Sequence, residues 1–248
     1  MLQLPQGILF DLDETILTEG DRLTILLDVA EQMEEFLTPN TPVELAAALD
    51  AALRDFWSSS PQARAERLGA RFSIKSARES VISDALRELS ASGMPEVGIE
   101  FCERFTQARA SATRLFDGAA DTLKELRRVG VRLSLVTNGA ADIQREKLER
   151  FELSTLFDHV QIEGEIGFGK PEEMAYRHAM KSLGTEPANT WMVGDNLEWE
   201  VAAPQRLGIH AIWHDPSGEG LPAACRIRPD RIIGRLSELL YPVKTDAL

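Results

Sequence analysis

Gly7-Ile8-Leu9-Phe10-Asp11-Leu12-Asp13-Glu14-Thr15 is the stretch on which the fold turns: an apolar run ends abruptly in two carboxylates one residue apart, with a threonine behind them. In an extended segment, residues two apart point the same way. Asp11 and Asp13 would then face each other and repel unless a cation or a shared proton separates them. Two anionic oxygens side by side at a strand end form a hard-cation site of the Mg²⁺ kind, a metal that keeps waters and recruits phosphate oxygens. An Asp-rich turn after a buried strand would look the same in isolation, so the stretch suggests phosphate chemistry without deciding it.

Downstream of residue 114, short apolar runs alternate with amphipathic helical stretches, the pattern of a parallel α/β sheet. Asp117 is expected to cap a helix running through Leu123 and Leu126 to Val129, with Gly130 as its left-handed stop. A buried strand follows over 131–136, then a helix over 141–150, a weak strand over 159–162 and a helix over 171–183. A strand over 190–193, a helix near 198–207 and a strand over 209–213 continue the pattern, with a short edge strand at 229–232 before a last helix and a surface loop over 216–222. Residues 18–113 differ. Their apolar positions, such as Leu23, Leu26, Leu27 and Ala30, or Val81, Ile82, Ala85, Leu86 and Leu89, recur at helical spacing without a convincing strand. This segment separates the first strand from everything that should pair with it, so it reads as an inserted all-helical domain of about four or five helices. Its helix boundaries are expected at Asn40-Thr41-Pro42, at Ser58-Ser59-Ser60-Pro61 and at Ser92-Gly93-Met94-Pro95. The expected organisation is a discontinuous α/β core of residues 1–17 and 114–248 carrying a helical domain of residues 18–113.

Composition bounds the function. The 248 residues are 44% hydrophobic, enough for a packed core. With 27 Lys plus Arg against 40 Asp plus Glu, the formal charge of −13 repels nucleic-acid backbones and anionic membranes. Neither is expected as a partner, and an anionic substrate must be captured by local lysines, backbone N–H groups and a metal. Cys102 and Cys225 lack a Cys-x-x-Cys partner and read as reduced structural thiols. Without a basic and apolar leader or a run of 18 apolar residues, the expected setting is soluble and cytoplasmic.

Three polar motifs each follow an apolar run: Asp11-Leu12-Asp13, Thr137-Asn138-Gly139 and Gly194-Asp195-Asn196. Ligands of open parallel sheets bind beyond the carboxyl ends of the strands, where the strand order changes. The motifs meet there if their strands are neighbours. Lys170 precedes Pro171, and proline is favoured at the first helical position, which would put the ammonium at a helix N-terminus that already attracts anions. Each motif alone is a common turn; their ordered set is what points to a phosphoryl-transfer site. His159, His178, His210 and His214 show no metal-ligand spacing and read as structural or surface groups. Phe56 and Trp57 could contact a substrate, although aromatic residues on such a helix are more often core.

The chain resembles the haloacid dehalogenase superfamily of phosphohydrolases, whose four motifs it carries in order. They are Asp11-x-Asp13-x-Thr15, Thr137-Asn138, Lys170-Pro171, and Gly194-Asp195 followed by an acid at Glu200. The resemblance covers roughly residues 6–17 and 114–240, and the helical insertion is similar to the family's C1-type cap. It implies a Rossmann-like core with a cap closing over the site, Asp11 as nucleophile and Asp13 as general acid/base. It also implies phosphate binding by Thr137, Asn138 and Lys170, and Mg²⁺ held by Asp11, Asp195 and the main-chain carbonyl of Asp13. Where the family often has Asp, this chain has Glu200, a possible supporting acid for metal waters or Lys170, with Glu198 as the second candidate.

These roles are chemically coherent. An ionised Asp11 needs no base to attack phosphorus, and its aspartyl-phosphate can be split by water in a second step. Asp13 stands where it could protonate the leaving alkoxide and later take a proton from water. A phosphate dianion approaching three carboxylates requires Mg²⁺ and Lys170 to offset the charge. The expected activity is Mg²⁺-dependent hydrolysis of a small phosphorylated metabolite. A 2-haloacid dehalogenase would leave the second Asp unexplained, since it has no alkoxide to protonate; a phosphomutase would use the same residues. A signalling receiver module, or a non-catalytic phosphate-binding or regulatory protein, is the reading from another class. The Asp-x-Asp spacing, the helical insertion and the undamaged residue set favour an enzyme.

Overall fold

The computed structural model describes residues 4–56, 74–89 and 95–241. The chain divides into two compact units, Met1–Thr18 with Leu115–Leu248, and Glu19–Arg114.

The first unit is built on a parallel sheet of six strands: β1 (Gly7–Phe10), β4 (Arg132–Thr137), β5 (His159–Ile162), β6 (Thr190–Gly194), β7 (His210–His214) and β8 (Arg231–Ile233). Two short segments, β2 (Leu17–Thr18) and β3 (Arg114–Leu115), pair with each other outside it. The spatial order is β5-β4-β1-β6-β7-β8. After β5 the chain crosses to the other side of β1, so the order reverses there, and the carboxyl ends of β4, β1 and β6 form the crevice where such sheets bind ligands. The register is continuous: Phe10 lies beside Leu135 on one side and Val193 on the other.

β1 reads as an unbroken apolar run because both its faces are covered. Ile8 and Phe10 pack with Leu123 and Leu126 of α5 (Ala119–Arg128), Leu133, Leu135, and Leu148 of α6 (Ala141–Arg150). Leu9, on the opposite face, packs with Val136, Met192, and Tyr176 and Ala179 of α8 (Glu173–Leu183). The short helix α7 (Glu163–Ile166) follows β5. Helix α5 starts after Gly118, which occupies the cap in the left-handed conformation without a side-chain cap bond. The expected Asp117 cap is therefore not formed, whereas Gly130 does end the helix at a φ of 90°. β8 is the edge strand, starting two residues and ending one residue later than expected, and the last helix is a short 3₁₀ turn over Leu236–Leu240.

The second unit contains α1 (Arg22–Gln32), α2 (Pro42–Phe56), α3 (Ile74–Glu88) and α4 (Pro95–Ala112) among the described residues. The expected boundary at Pro42 holds through a reciprocal cap: Glu44 N–H donates to Thr41 Oγ1 at 3.3 Å, and Thr41 N–H donates to Glu44 Oε2 at 3.0 Å. The expected break at 58–61, the residues 92–94 and Trp57 lie outside the described residues. Leu26, Ala30, Leu45, Leu49, Ile82, Leu86, Phe101 and Phe105 form this unit's core. Leu23, expected on the apolar face of α1, is instead exposed. Cys102 is buried in that core, and neither cysteine forms a disulfide. No helix among the described residues is long and apolar enough to cross a membrane.

Leu9 has no solvent exposure and joins β1 to α8. Leu9→Ala is expected to lower the unfolding free energy by about 2–5 kcal/mol in urea denaturation; a change under about 1 kcal/mol would show that β1 is not the sheet's anchor.

Candidate functional site

The site begins where β1 stops. Asp11 N–H still donates to Val193 O at 3.0 Å, carrying the ladder one residue past the strand. Leu12 O then accepts the N–H groups of Ile16 and Leu17, both at 2.9 Å, which curls the following residues into a tight turn. Within that turn Glu14 adopts a φ of 56°, a left-handed conformation unusual for a residue with a side chain. The buried His214, at the end of β7, bonds the Glu14 carbonyl through Nδ1 at 3.0 Å and braces the turn.

The two acids of the opening motif are treated differently. Asp11 is buried, with its Oδ1 2.5 Å from Lys170 Nζ. Asp13 is half-buried and receives Lys147 Nζ on Oδ1 at 2.6 Å and Gln144 Nε2 on Oδ2 at 2.8 Å. Each carboxylate thus has its own ammonium, which relieves the repulsion expected between them. Burial, and then the charge of Asp13, still raise the Asp11 carboxyl above its ordinary value against the pull of Lys170.

Lys170 is held by its backbone as well as its charge. Asn138 Nδ2 donates to Lys170 O at 2.7 Å while Asn138 Oδ1 accepts Lys170 N–H at 2.9 Å, so one amide side chain clasps the loop against the end of β4. A Cβ on Gly169 would lie 2.6 Å from Asn138 Oδ1, so this approach requires the glycine. Lys170 does not sit at a helix N-terminus as expected. Glu172 N–H closes a turn onto Gly169 O at 2.8 Å, Glu172 takes the cap position, and the helix starts at Glu173. The ammonium points instead into the sheet crevice, 2.5 Å from Asp11 Oδ1 and 2.7 Å from Glu200 Oε1. Burial acts against this cation, but the charges of Asp11 and Glu200 outweigh it and raise its pKa above the ordinary lysine value.

Glu200 and Glu198 separate clearly. Glu200 is buried, and its second oxygen accepts Asn196 N–H at 2.7 Å; Glu198 pairs with Arg206 at 2.9 Å on the surface. The helix expected near 198–207 is a wide π turn over Leu197–Ala202 running into Ala203–Gln205. Asn196 Oδ1 caps that turn by accepting the N–H groups of Glu198 and Trp199, both at 3.0 Å. The π turn, a geometry common at functional sites, carries Glu200 back over the end of β6. Burial pushes the Glu200 carboxyl up to about 7, Lys170 opposing and Asp11 reinforcing.

Asp195 is the unmatched acid. Its carbonyl accepts Trp213 Nε1–H at 2.6 Å, but no hydrogen bond or ion pair from a described residue reaches its carboxylate. Burial pushes that carboxyl well above its ordinary value, and the charges of Glu200 and Asp11 add to the push. Lys170 opposes that push without pairing with Asp195 directly, and a half-buried carboxylate pressed by two others and without an ion-pair partner among the described residues suits a hard cation. Among the described residues no group of three His, Cys, Asp or Glu side chains could hold a metal by itself. Asp11 is the aspartate of the opening motif whose charge acts on Asp195.

Thr137, the buried last residue of β4, accepts Gln144 Nε2–H on its hydroxyl at 2.7 Å. Asp11, Asp13, Thr137, Asn138, Lys170 and Glu200 are thus joined by direct bonds or through Gln144, and Asp195 lies within electrostatic reach of Asp11 and Glu200. Gln144 and Lys147 were not anticipated. Their signal was a helix opening directly after Thr137-Asn138-Gly139 with two polar residues three apart, which share a helix face. The four histidines serve structure: His159 bonds Ser134, His178 bonds Gln161, and His210 lies 3.8 Å from Asp230.

The haloacid dehalogenase-like hydrolase family matches residues 5–208 of the chain. A phosphoserine phosphatase of Thermus thermophilus is 39% identical over 163 residues, 65% of this chain and 63% of that protein. The chain therefore spans less than two thirds of that relative's length. A ribulose-1,5-bisphosphate 5-phosphatase of Halopiger xanaduensis is 30% identical over 161 residues, 62% of this chain and 67% of that protein. The Bacillus subtilis HAD-hydrolase YfnB, solved with magnesium, superposes with a TM-score of 0.72 at 22% identity, covering 96% of this chain and 98% of that one, and so shares the fold.

Gly194 is the position where β6 touches Glu200: an added Cβ would lie 2.0 Å from Glu200 Cγ. Gly194→Ala is expected to force Glu200 off Lys170 and cost at least about 2 kcal/mol in thermal denaturation; an unchanged midpoint would show that the close approach is not required.

Proposed function

We propose that this chain, which belongs to the haloacid dehalogenase-like hydrolase family, is a Mg²⁺-dependent phosphomonoester hydrolase acting through an aspartyl-phosphate on Asp11. The observation that carries the reading is the buried Asp11–Lys170–Glu200 chain, with a second carboxylate, Asp13, held separately beside it. Asp11 attacks phosphorus as the bond to the leaving oxygen breaks, and Asp13 gives that oxygen its proton. Water then attacks the aspartyl-phosphate, returns a proton to Asp13, and releases phosphate and Asp11.

Lys170 has three ammonium hydrogens. Two are directed to Asp11 and Glu200, which leaves one for a phosphate oxygen. Glu200 therefore acts by fixing Lys170. The Thr137 hydroxyl and the main-chain N–H of Asn138 are assigned to the other phosphate oxygens, since the Asn138 side chain is committed to the Lys170 backbone. Asp11, Asp195 and the Asp13 carbonyl would hold Mg²⁺, which would supply charge neutralisation for the incoming dianion.

A dehalogenase has no alkoxide to protonate and would leave the second aspartate, Asp13, unexplained, so its presence beside Asp11 favours an oxygen leaving group. The substrate class is a small phosphorylated metabolite, consistent with the phosphoserine and sugar-phosphate specificities in the names of its relatives. The formal charge of −13 argues against nucleic-acid partners. Cys102 and Cys225, neither of them in a disulfide, fit a reducing, cytoplasmic setting.

Hydrolysis of 4-nitrophenyl phosphate tests the reading. Wild type with Mg²⁺ is expected to turn over; EDTA should abolish the activity and added Mg²⁺ restore it. Asp11→Asn should lose at least about a thousandfold in kcat. Turnover that survives EDTA or Asp11→Asn would contradict the mechanism.

A further inference from the structure

On the reading that Asp13 moves the proton, we propose that Gln144 and Lys147 are positioning residues for Asp13: a two-donor clamp on one face of α6 that sets the rotation of its carboxylate. The last torsion of an aspartate is broad and roughly two-fold, so a single donor leaves the carboxylate free to swing. Here two donors address different oxygens, Lys147 Nζ at 2.6 Å from Oδ1 and Gln144 Nε2 at 2.8 Å from Oδ2. Spaced three residues apart, they act from the same side. Proton transfer requires the acid within hydrogen-bond reach of the leaving oxygen, and a carboxylate fixed before substrate arrives does not have to be ordered during the reaction.

Gln144 ties the clamp to the rest of the site. The same amide nitrogen lies 2.7 Å from Thr137 Oγ1 and 2.9 Å from Asn138 O, so the proton-transfer group and the end of β4 share one donor. Gln144 is buried, and its Oε1 has no hydrogen-bond partner among the described residues. A buried amide oxygen left unpaired is costly, and an apolar side chain of similar size would fill the position without that cost. The residue is therefore explained by what its nitrogen holds. Lys147 is not a packing residue either: its side chain keeps 17% exposure and its ammonium ends on Asp13.

The experiment compares kcat/KM for phenyl phosphate and 4-nitrophenyl phosphate. The more basic phenolate depends more on protonation as it leaves, so damage to the acid appears as a selective loss on phenyl phosphate. Wild type, Asp13→Asn, Lys147→Met, Lys147→Arg and Gln144→Met are measured at matched thermal stability. Lys147→Met and Gln144→Met are expected to lower the phenyl to 4-nitrophenyl ratio at least about fivefold, in the same direction as Asp13→Asn, and Lys147→Arg should stay within about twofold of wild type. Equal losses on both substrates, or none, while Asp13→Asn shows the selective loss, would overturn the clamp alone. Asp13→Asn without the selective loss, or no turnover by wild type, would overturn the proton role of Asp13, and the clamp with it.

Discussion

A lysine ammonium with 1% side-chain exposure, wedged between two carboxylates, is the constraint on which the rest of the site depends. Burying an ammonium costs several kcal/mol, and removing one member of such a group leaves an uncompensated buried charge worth about 3–5 kcal/mol. The fold meets that cost from three strand ends at once. Asp11 comes from β1, Glu200 from the turn after β6, and the Lys170 backbone is clasped by Asn138 at the end of β4. The parallel sheet brings these ends together because β4 and β6 both pair with β1 in continuous register.

Charge explains what is left over. Lys170 serves Asp11 and Glu200, and Lys147 serves Asp13, while Asp195 receives no such partner from the described residues. Asp11 and Asp13 are thus held by different ammonium groups although both lie at the end of β1. Under the proposed mechanism that separation lets one acid attack while its neighbour handles protons, a division that depends on environment rather than residue type.

Much of this was legible in the sequence. Fully buried parallel strands have no polar face to show, so β1, β4 and β6 stand out as apolar runs ending in Asp11, Thr137 and Gly194-Asp195. Helical spacing likewise announced the second unit, and Asn40-Thr41-Pro42 marked the start of α2. What failed was local punctuation overruled by long-range bonds. Pro171 signalled a helix start, but the Asn138 clasp and the turn closed by Glu172 delay it to Glu173. The segment after Asn196 reads as an ordinary helix, yet Glu200 is drawn back to Asn196 N–H and Lys170, and the turn widens. Gln144 and Lys147 reach Asp13 across 131 and 134 residues of chain, a relation that only the folded sheet creates.

The central claim is that Asp11 becomes covalently phosphorylated. Acid-quenching the enzyme during turnover, reducing with borohydride and sequencing the peptide that contains residues 7–15 by mass spectrometry would test it directly, because reduction converts an aspartyl-phosphate to homoserine. Homoserine at position 11, formed only in the presence of substrate, is the expected result. Turnover with Asp11 unmodified, or homoserine at another aspartate, would contradict it.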